Sequence, residues 1–240
     1  MSKEIFRASI FQRADRNKKV CVIILAVFVL GIAYQWSITR SIPVLQSFIN
    51  TKTVVIDPGH GTVEPGVVHK SSGIEESKIN LDVGQKLKKM LLSKNYNVVM
   101  TREKETRKKL PIREDLKKRV DVAKSVSADI FVSIHVNQFT DSKYFGAQCF
   151  FFPHKEDSKI LALLIQEELK RLQPNNHRKP LAKDLYVLRE TPMPAVLVEI
   201  GFLSNDVDRH KLTDPDYRNK IAEAIFKGIQ RYFEGNIPTT

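Results

Sequence analysis

From Thr53 onward, short apolar runs of strand length alternate with longer segments of helical period, and this alternation constrains the fold more than any other feature. The stretches "TVVID" (53–57), "NVVMT" (97–101), "DIFVSI" (129–134), "AQCFFF" (147–152), "LYVLR" (185–189) and "AVLVEI" (195–200) read as strands. Between them, Glu76 to Ser93 keeps Ile79, Val83, Leu87, Met90 and Leu91 at helical spacing. Pro111 to Val126 has proline in its first turn, and Ser158 to Leu172 is amphipathic. Asp206 to Leu212 and Asp214 to Phe233 complete the helices, the first preceded by a turn and a capping "SND". Strands joined through helices imply crossover connections. The expected fold is therefore α/β, a single layered domain with a central, mostly parallel twisted sheet flanked by helices. With 42% hydrophobic residues the chain can fill such a core, and its two cysteines cannot form a disulfide framework.

The N-terminus is of another kind. Residues 1–19 carry Lys3, Arg7, Arg13, Arg16, Lys18 and Lys19, followed by the apolar "VCVIILAVFVLGIAYQW" from Val20 to Trp36. A membrane span takes about 20 apolar residues, with a range near 17–25, so this run is at the short limit of a span. A basic flank and an interfacial tryptophan favour an uncleaved signal-anchor over a cleaved signal peptide, and both over a buried core helix. The expected organisation is a basic cytoplasmic tail and membrane-targeting helix over 1–40, a linker over 41–52, a catalytic domain over 53–234 and a C-terminal tail over 235–240. The main domain then lies outside the cytoplasmic membrane.

In an open α/β sheet the ligand site lies beyond the carboxyl ends of the strands. His60 comes just past the first strand, His135 just past "DIFVSI", and Glu199 at the end of "AVLVEI". A catalytic zinc takes three ligands from His and carboxylate side chains and keeps one position open. Two histidines on one rim call for an acid, and Glu75 or Glu76, at the start of the following helix, is placed to supply it. An acid there also complements the helix N-terminus, which is compatible with ligation. Glu199, after four apolar strand residues, suits a general base that later acts as an acid. Pairing with a cation is its structural alternative. His69, His154, His177 and His210 lie in loops or polar stretches and are poorer ligand candidates.

The motifs "VVIDPGHG", "EESKINL", "FVSIHVN" and "VLVEIGFLSN", in that order, resemble the zinc-dependent N-acetylmuramoyl-L-alanine amidases of the amidase-3 family. The resemblance spans about residues 53–234 and is nearest to the germination-specific amidases of spore formers. It implies that His60, Glu76 rather than Glu75, and His135 bind Zn2+, and that Glu199 is the catalytic acid/base. It also implies site support from Asn137 and Arg119. The implied substrate is peptidoglycan, cut between the lactyl group of N-acetylmuramic acid and L-alanine, in spore cortex ahead of muramic-δ-lactam formation. Thr62 and Glu64 depart from the family pattern in the first loop, and Lys124 does so later. A zinc peptidase acting on stem peptides and an inactive wall-binding module are the alternatives.

Formal net charge is +12, and the stretch from Arg102 to Arg119 holds nine Lys/Arg against four Asp/Glu. This stretch reads either as a solvated loop and helix face or as a surface for a polyanion. In the second reading Arg107, Lys108 and Lys109 hold stem-peptide carboxylates or an acidic regulatory protein. No zinc-finger spacing or aromatic-basic signature points to nucleic acid, which is not an expected partner.

Overall fold

The computed structural model describes residues 25–37, 51–61, 63–105 and 110–238. The strands are β1 (Thr53–Pro58), β2 (Asn97–Met100), β3 (Ile130–Asn137), β4 (Gln148–Phe151), β5 (Leu181–Ala182) and β6 (Ala195–Phe202). The helices are α1 (25–37), α2 (Glu76–Leu92), α3 (Ile112–Ser125), α4 (Glu156–Leu172), α5 (Tyr186–Glu190), α6 (Asp206–Thr213) and α7 (Pro215–Phe233). One sheet runs in the order β2-β1-β3-β6-β4-β5. All neighbours in it are parallel except β4 and β6. The mostly parallel α/β sheet expected from the sequence is thus present, with β3 in its interior.

The pleat divides the core into two layers, because successive strand residues point to opposite faces. Val54, Ile56, Ile130, Val132, Val196 and Val198 pack against α2, α4 and α7. Val55, Phe131, Ala195 and Leu197 pack on the other face against Val120 and Ala123 of α3 and Val187 and Leu188 of α5. Helices α4 and α7 approach closely at Gly228, where an added Cβ would lie 2.6 Å from the Ile165 Cα. Both C-terminal helices are capped as their sequences suggest. The Asn205 side chain accepts from the Asp208 N–H, and that of Asp214 from the Asp216 N–H.

The strand expected over 185–189 is a short helix instead. Leu185 is its N-cap, Val187 and Leu188 are buried, and the Thr191 hydroxyl donates to the Val187 carbonyl at 2.8 Å. The two-residue β5 already occupies the edge of β4 that such a strand would need. Over five residues, alternating apolar positions serve a single helical turn as well as a strand.

Among the described residues no helix is long and apolar enough to cross a membrane. Helix α1 covers part of the expected targeting segment, and the remainder of that segment lies outside the described residues. Arg107, Lys108 and Lys109 also lie outside them. The rest of the basic stretch is heterogeneous: Arg102 and Arg119 are buried, whereas Lys117 and Lys118 are exposed. The solvated-face reading does not hold for the two arginines, which turn inward to bind backbone carbonyls.

Candidate metal centre

Strand β1 ends in Asp57-Pro58, and the chain then turns so sharply that His60 adopts φ +62°. This is the left-handed region, unfavourable for a residue with a Cβ by about 1–2 kcal/mol. Two buried arginines hold the turn. Arg102 donates through Nε to the Pro58 carbonyl (2.9 Å) and through Nη2 to the carbonyls of Gly59 (3.0 Å) and Ser77 (2.8 Å). Arg119 donates through Nη1 to the Pro58 carbonyl (3.1 Å) and through Nη2 to that of His60 (2.9 Å). Three successive carbonyls are thereby fixed by two rigid guanidinium forks.

Asp57 balances this charge from beneath. Its carboxylate accepts from Arg119 Nη1 (2.8 Å), Thr101 Oγ1 (2.6 Å) and Ser133 Oγ (2.7 Å). Burial disfavours the charged carboxylate, yet Arg119 and the two hydroxyls outweigh it and hold its pKa below the ordinary value. Arg119 is shifted upward, its burial outweighed by Asp57 and Asp115.

The structure brings His60, Glu76 and His135 together, with one ligand atom from each lying within 4.8 Å of the others. His60 Nε2 is 3.2 Å and His135 Nδ1 3.0 Å from Glu76 Oε1. Ligand atoms around a tetrahedral zinc lie roughly 3.4 Å apart, so the donor set and its spacing fit such an ion. Glu76 opens α2 and is only 2% exposed. Backbone N–H groups of Val136 and Val67 donate to its two oxygens at 2.9 Å each, fixing the carboxylate plane. Burial opposes its charge, but His135 and His60 hold its pKa far below the usual carboxylate range. In return, although burial resists protonation, Glu76 and then Glu64 raise His60 to about 9. Glu64 pairs with His60 Nδ1, the ring nitrogen facing away from Glu76. A carboxylate on the far nitrogen orients a ligand histidine and raises its basicity.

Glycines make room for this group. A Cβ on Gly59 would lie 2.2 Å from the His135 ring, and one on Gly66 (φ +68°) would lie 2.5 Å from Glu76 Oε2. Glu75, the other candidate acid, turns away and pairs with Lys78 at 3.0 Å. Glu199 stands directly opposite His135 in the β3–β6 register, on the same face of the sheet. Its Oε2 is enclosed and has no hydrogen-bond partner among the described residues. Burial, and secondarily the negative Glu76, push its pKa up to about 7, against the pull of His135, Lys183 and His60.

The sequence that builds this arrangement matches a known family. Residues 54–231 match the amidase-3 family model, N-acetylmuramoyl-L-alanine amidase. The chain belongs to that family. Its enzyme class is accordingly that of the cell-wall amidases, hydrolases of an amide in peptidoglycan. Among its relatives, the germination-specific N-acetylmuramoyl-L-alanine amidase of Bacillus subtilis is 33% identical, with 77% of this chain and 81% of the relative covered. An uncharacterised cell wall amidase of Bacillus anthracis is 38% identical over 78% of this chain, which spans only 36% of that longer protein. Among solved structures, the CwlD amidase of Clostridioides difficile in complex with the GerS lipoprotein superposes with a TM-score of 0.72. It is 39% identical, over 78% of this chain and all of that one. The catalytic domain of the amidase CwlV from Bacillus (Paenibacillus) polymyxa gives 0.70 at 34% identity, covering 77% and 99% of the two chains.

All four site residues expected from the sequence lie on the rim of this amidase. Sequence reading missed the pairing of Glu64 with His60 and the depth of the Asp57–Arg102–Arg119 network. An aspartate closing an apolar strand was the available signal for the network.

Proposed function

We propose that this amidase hydrolyses the bond between the lactyl group of N-acetylmuramic acid and L-alanine, using zinc held by His60, Glu76 and His135, with Glu199 as acid/base. One observation carries the division of roles. The Glu199 carboxylate faces His135 yet makes no hydrogen bond through Oε2, whereas each Glu76 oxygen is fixed by a backbone N–H. A carboxylate oriented by backbone donors, with lone pairs to spare, is suited to holding an ion, and an unsatisfied one with a pKa near neutrality is suited to moving a proton.

When bound, zinc supplies Lewis acidity that polarises the scissile carbonyl and acidifies a water. Glu199 accepts the proton that the attacking water gives up as its oxygen bonds to the carbonyl carbon. It then returns that proton to the alanine nitrogen as the carbon–nitrogen bond breaks. The products are a muramic acid with a free lactyl carboxylate and a peptide with a free N-terminal alanine. Arg102, Arg119 and Glu64 keep His60 in place throughout.

The germination-specific relative supports a role in germination, and the reading extends this to a spore-cortex substrate and a step preceding muramic-δ-lactam formation. The same reading places the domain outside the cytoplasmic membrane, with the basic and apolar N-terminal segment as its membrane-targeting element. A protein partner is included in it, because the C. difficile relative was solved with a lipoprotein. The experiment is digestion of purified peptidoglycan by the full chain, followed by end-group analysis. New N-terminal alanine is expected. A new terminus at any other stem-peptide residue would instead establish the zinc peptidase alternative. Glu199→Ala should retain metal and lose about 10²–10⁴-fold in rate, whereas His135→Ala should lose the metal. Equal metal loss in both would refute the assignment of roles.

A further inference from the structure

Beyond Glu199 the rim carries an aromatic cluster that the chemistry above leaves unused. Phe139, Tyr144 and Phe145 lie between β3 and β4 and are 52%, 45% and 44% exposed. The Phe139 and Tyr144 rings touch, with centroids 4.5 Å apart and planes inclined at 58°. Single exposed apolar residues need no explanation, but a contiguous exposed group beside a site marks recognition.

The loop is held so that it cannot fold these rings away. The Phe139 N–H donates to Ser204 Oγ (3.1 Å), Asn205 Nδ2 to the Ser142 carbonyl (2.7 Å), and the Gly146 N–H to Asp208 Oδ2 (2.8 Å). All three partners follow β6, the strand that carries Glu199. Arg178 then ties the cluster to the reacting groups. Its guanidinium lies 5.7 Å from the Tyr144 ring centroid and 4.7 Å from that of Phe202. Its Nε donates to the Phe145 carbonyl (2.8 Å) and its Nη1 to Gln148 Oε1 (2.9 Å). Gln148 pairs directly with Glu199 across β4 and β6. Glu199, Gln148, Arg178 and Tyr144 therefore form an unbroken line of neighbours.

The chemistry of this line selects its ligand. Arg178 already spends two donors on neutral acceptors and stacks on two rings, so it does not present the open fork that captures a carboxylate. What it leaves exposed is aromatic surface edged by planar amide and guanidinium groups. A pyranose ring has the complementary form, with an apolar face of C–H groups and a polar edge of hydroxyl and acetamido groups. In the substrate, a single lactyl ether separates such a ring from the scissile carbonyl. We infer that Phe139 and Tyr144, backed by Arg178, form a saccharide subsite that stacks an N-acetylhexosamine ring of the glycan strand. This rests on the amidase reading above and specifies how that substrate is held.

The test uses the full chain and two probes. Metal-stripped protein is titrated calorimetrically with peptide-free glycan strands, and metal-loaded protein is assayed on intact strands and on a lactyl-peptide fragment lacking sugar. The double substitution Phe139→Ala/Tyr144→Ala should weaken glycan binding about tenfold. It should raise KM on intact strands by a similar factor, with kcat and the rate on the sugar-free fragment unchanged. The conservative pair Phe139→Tyr/Tyr144→Phe should restore binding, and both variants should melt with the wild type because the rings are exposed. If the wild type fails to bind peptide-free strands, or the alanine pair binds them equally well, the subsite is refuted; a partner other than glycan then covers the rings. An equal loss on the sugar-free fragment refutes it as well. Failure of the amidase reading looks different: no wall substrate is cleaved, while glycan binding and its loss in the alanine pair persist.

Discussion

Replacing Arg119 by methionine tests the clamp beneath the His60 turn. The substitution keeps an unbranched side chain of helical propensity in α3 but strips Asp57 of its cationic partner, removes the donor to the His60 carbonyl and leaves the Pro58 carbonyl to Arg102 alone. Breaking a buried ion pair from one side costs about 3–5 kcal/mol, chiefly through the charge left behind. For a domain of this size each kcal/mol lowers Tm by about 2–4 °C, so a fall of roughly 6–20 °C is expected at neutral pH. The pH dependence gives the sharper signature. In the wild type the folded-state pKa of Asp57 is depressed, so its stabilisation is present above the ordinary value and is lost as pH falls below it. Without Arg119, burial becomes the dominant influence and raises the folded pKa above the unfolded one. That variant then loses stability as pH rises through the raised value and recovers it on acidification. The Tm gap between the two proteins should therefore narrow from pH 7 toward pH 4. Thermal unfolding in the presence of chelator measures this without contribution from metal. A gap of under 2 °C at pH 7, or one that widens on acidification, would refute the reasoning.

Other substitutions separate neighbouring roles. Glu75→Gln should keep nearly full metal content and activity, because Glu75 pairs with surface Lys78, whereas Glu76→Gln should lose metal; content can be read by elemental analysis. Gly228→Ala should lower Tm by a few degrees, since overpacking costs about 1–3 kcal/mol, with the hydrolysis rate at low temperature preserved. Both rates and melts are routine readouts, and an unshifted Tm for Gly228→Ala would show that α4 yields freely to α7.

The layered fold was legible because burial on two faces leaves a periodic trace in each long element. The strands were legible for the same reason, and with them the neighbourhood of His60, His135 and Glu199, but β3 runs on to Asn137 and β6 to Phe202, so His135 lies within its strand and not just past it. The segment 185–189 was not, since Leu185, Val187 and Leu188 are too few to distinguish a period of two from one of 3.6. Nor was the arginine clamp. Nine cations between Arg102 and Arg119 carry no local sign of which two turn inward. That is decided by carbonyls supplied some 40 to 60 residues earlier in the chain, at Pro58, Gly59 and His60. Glu76 was separable from Glu75 by family resemblance and by sharing a helix face with Ile79, Asn80 and Val83, but the donors that fix it, from Val67 and Val136, come from two other segments and were not legible.

The pairing of β3 with β6 contains an irregularity. His135 faces Glu199, but Asn137 faces Phe202, so β6 has one residue more than β3 over the same interval. Before that extra residue, the ladder sets the spacing of the reacting groups. After it, the chain runs in a shifted frame, with Phe202 beneath Arg178 and Ser204 and Asn205 anchoring the aromatic loop. Insertions and substitutions beyond the bulge can thus remodel what the rim recognises without altering the alignment of Glu199 with His135. In this chain the bulge separates the segment that aligns Glu199 with His135 from the segment that anchors the aromatic loop.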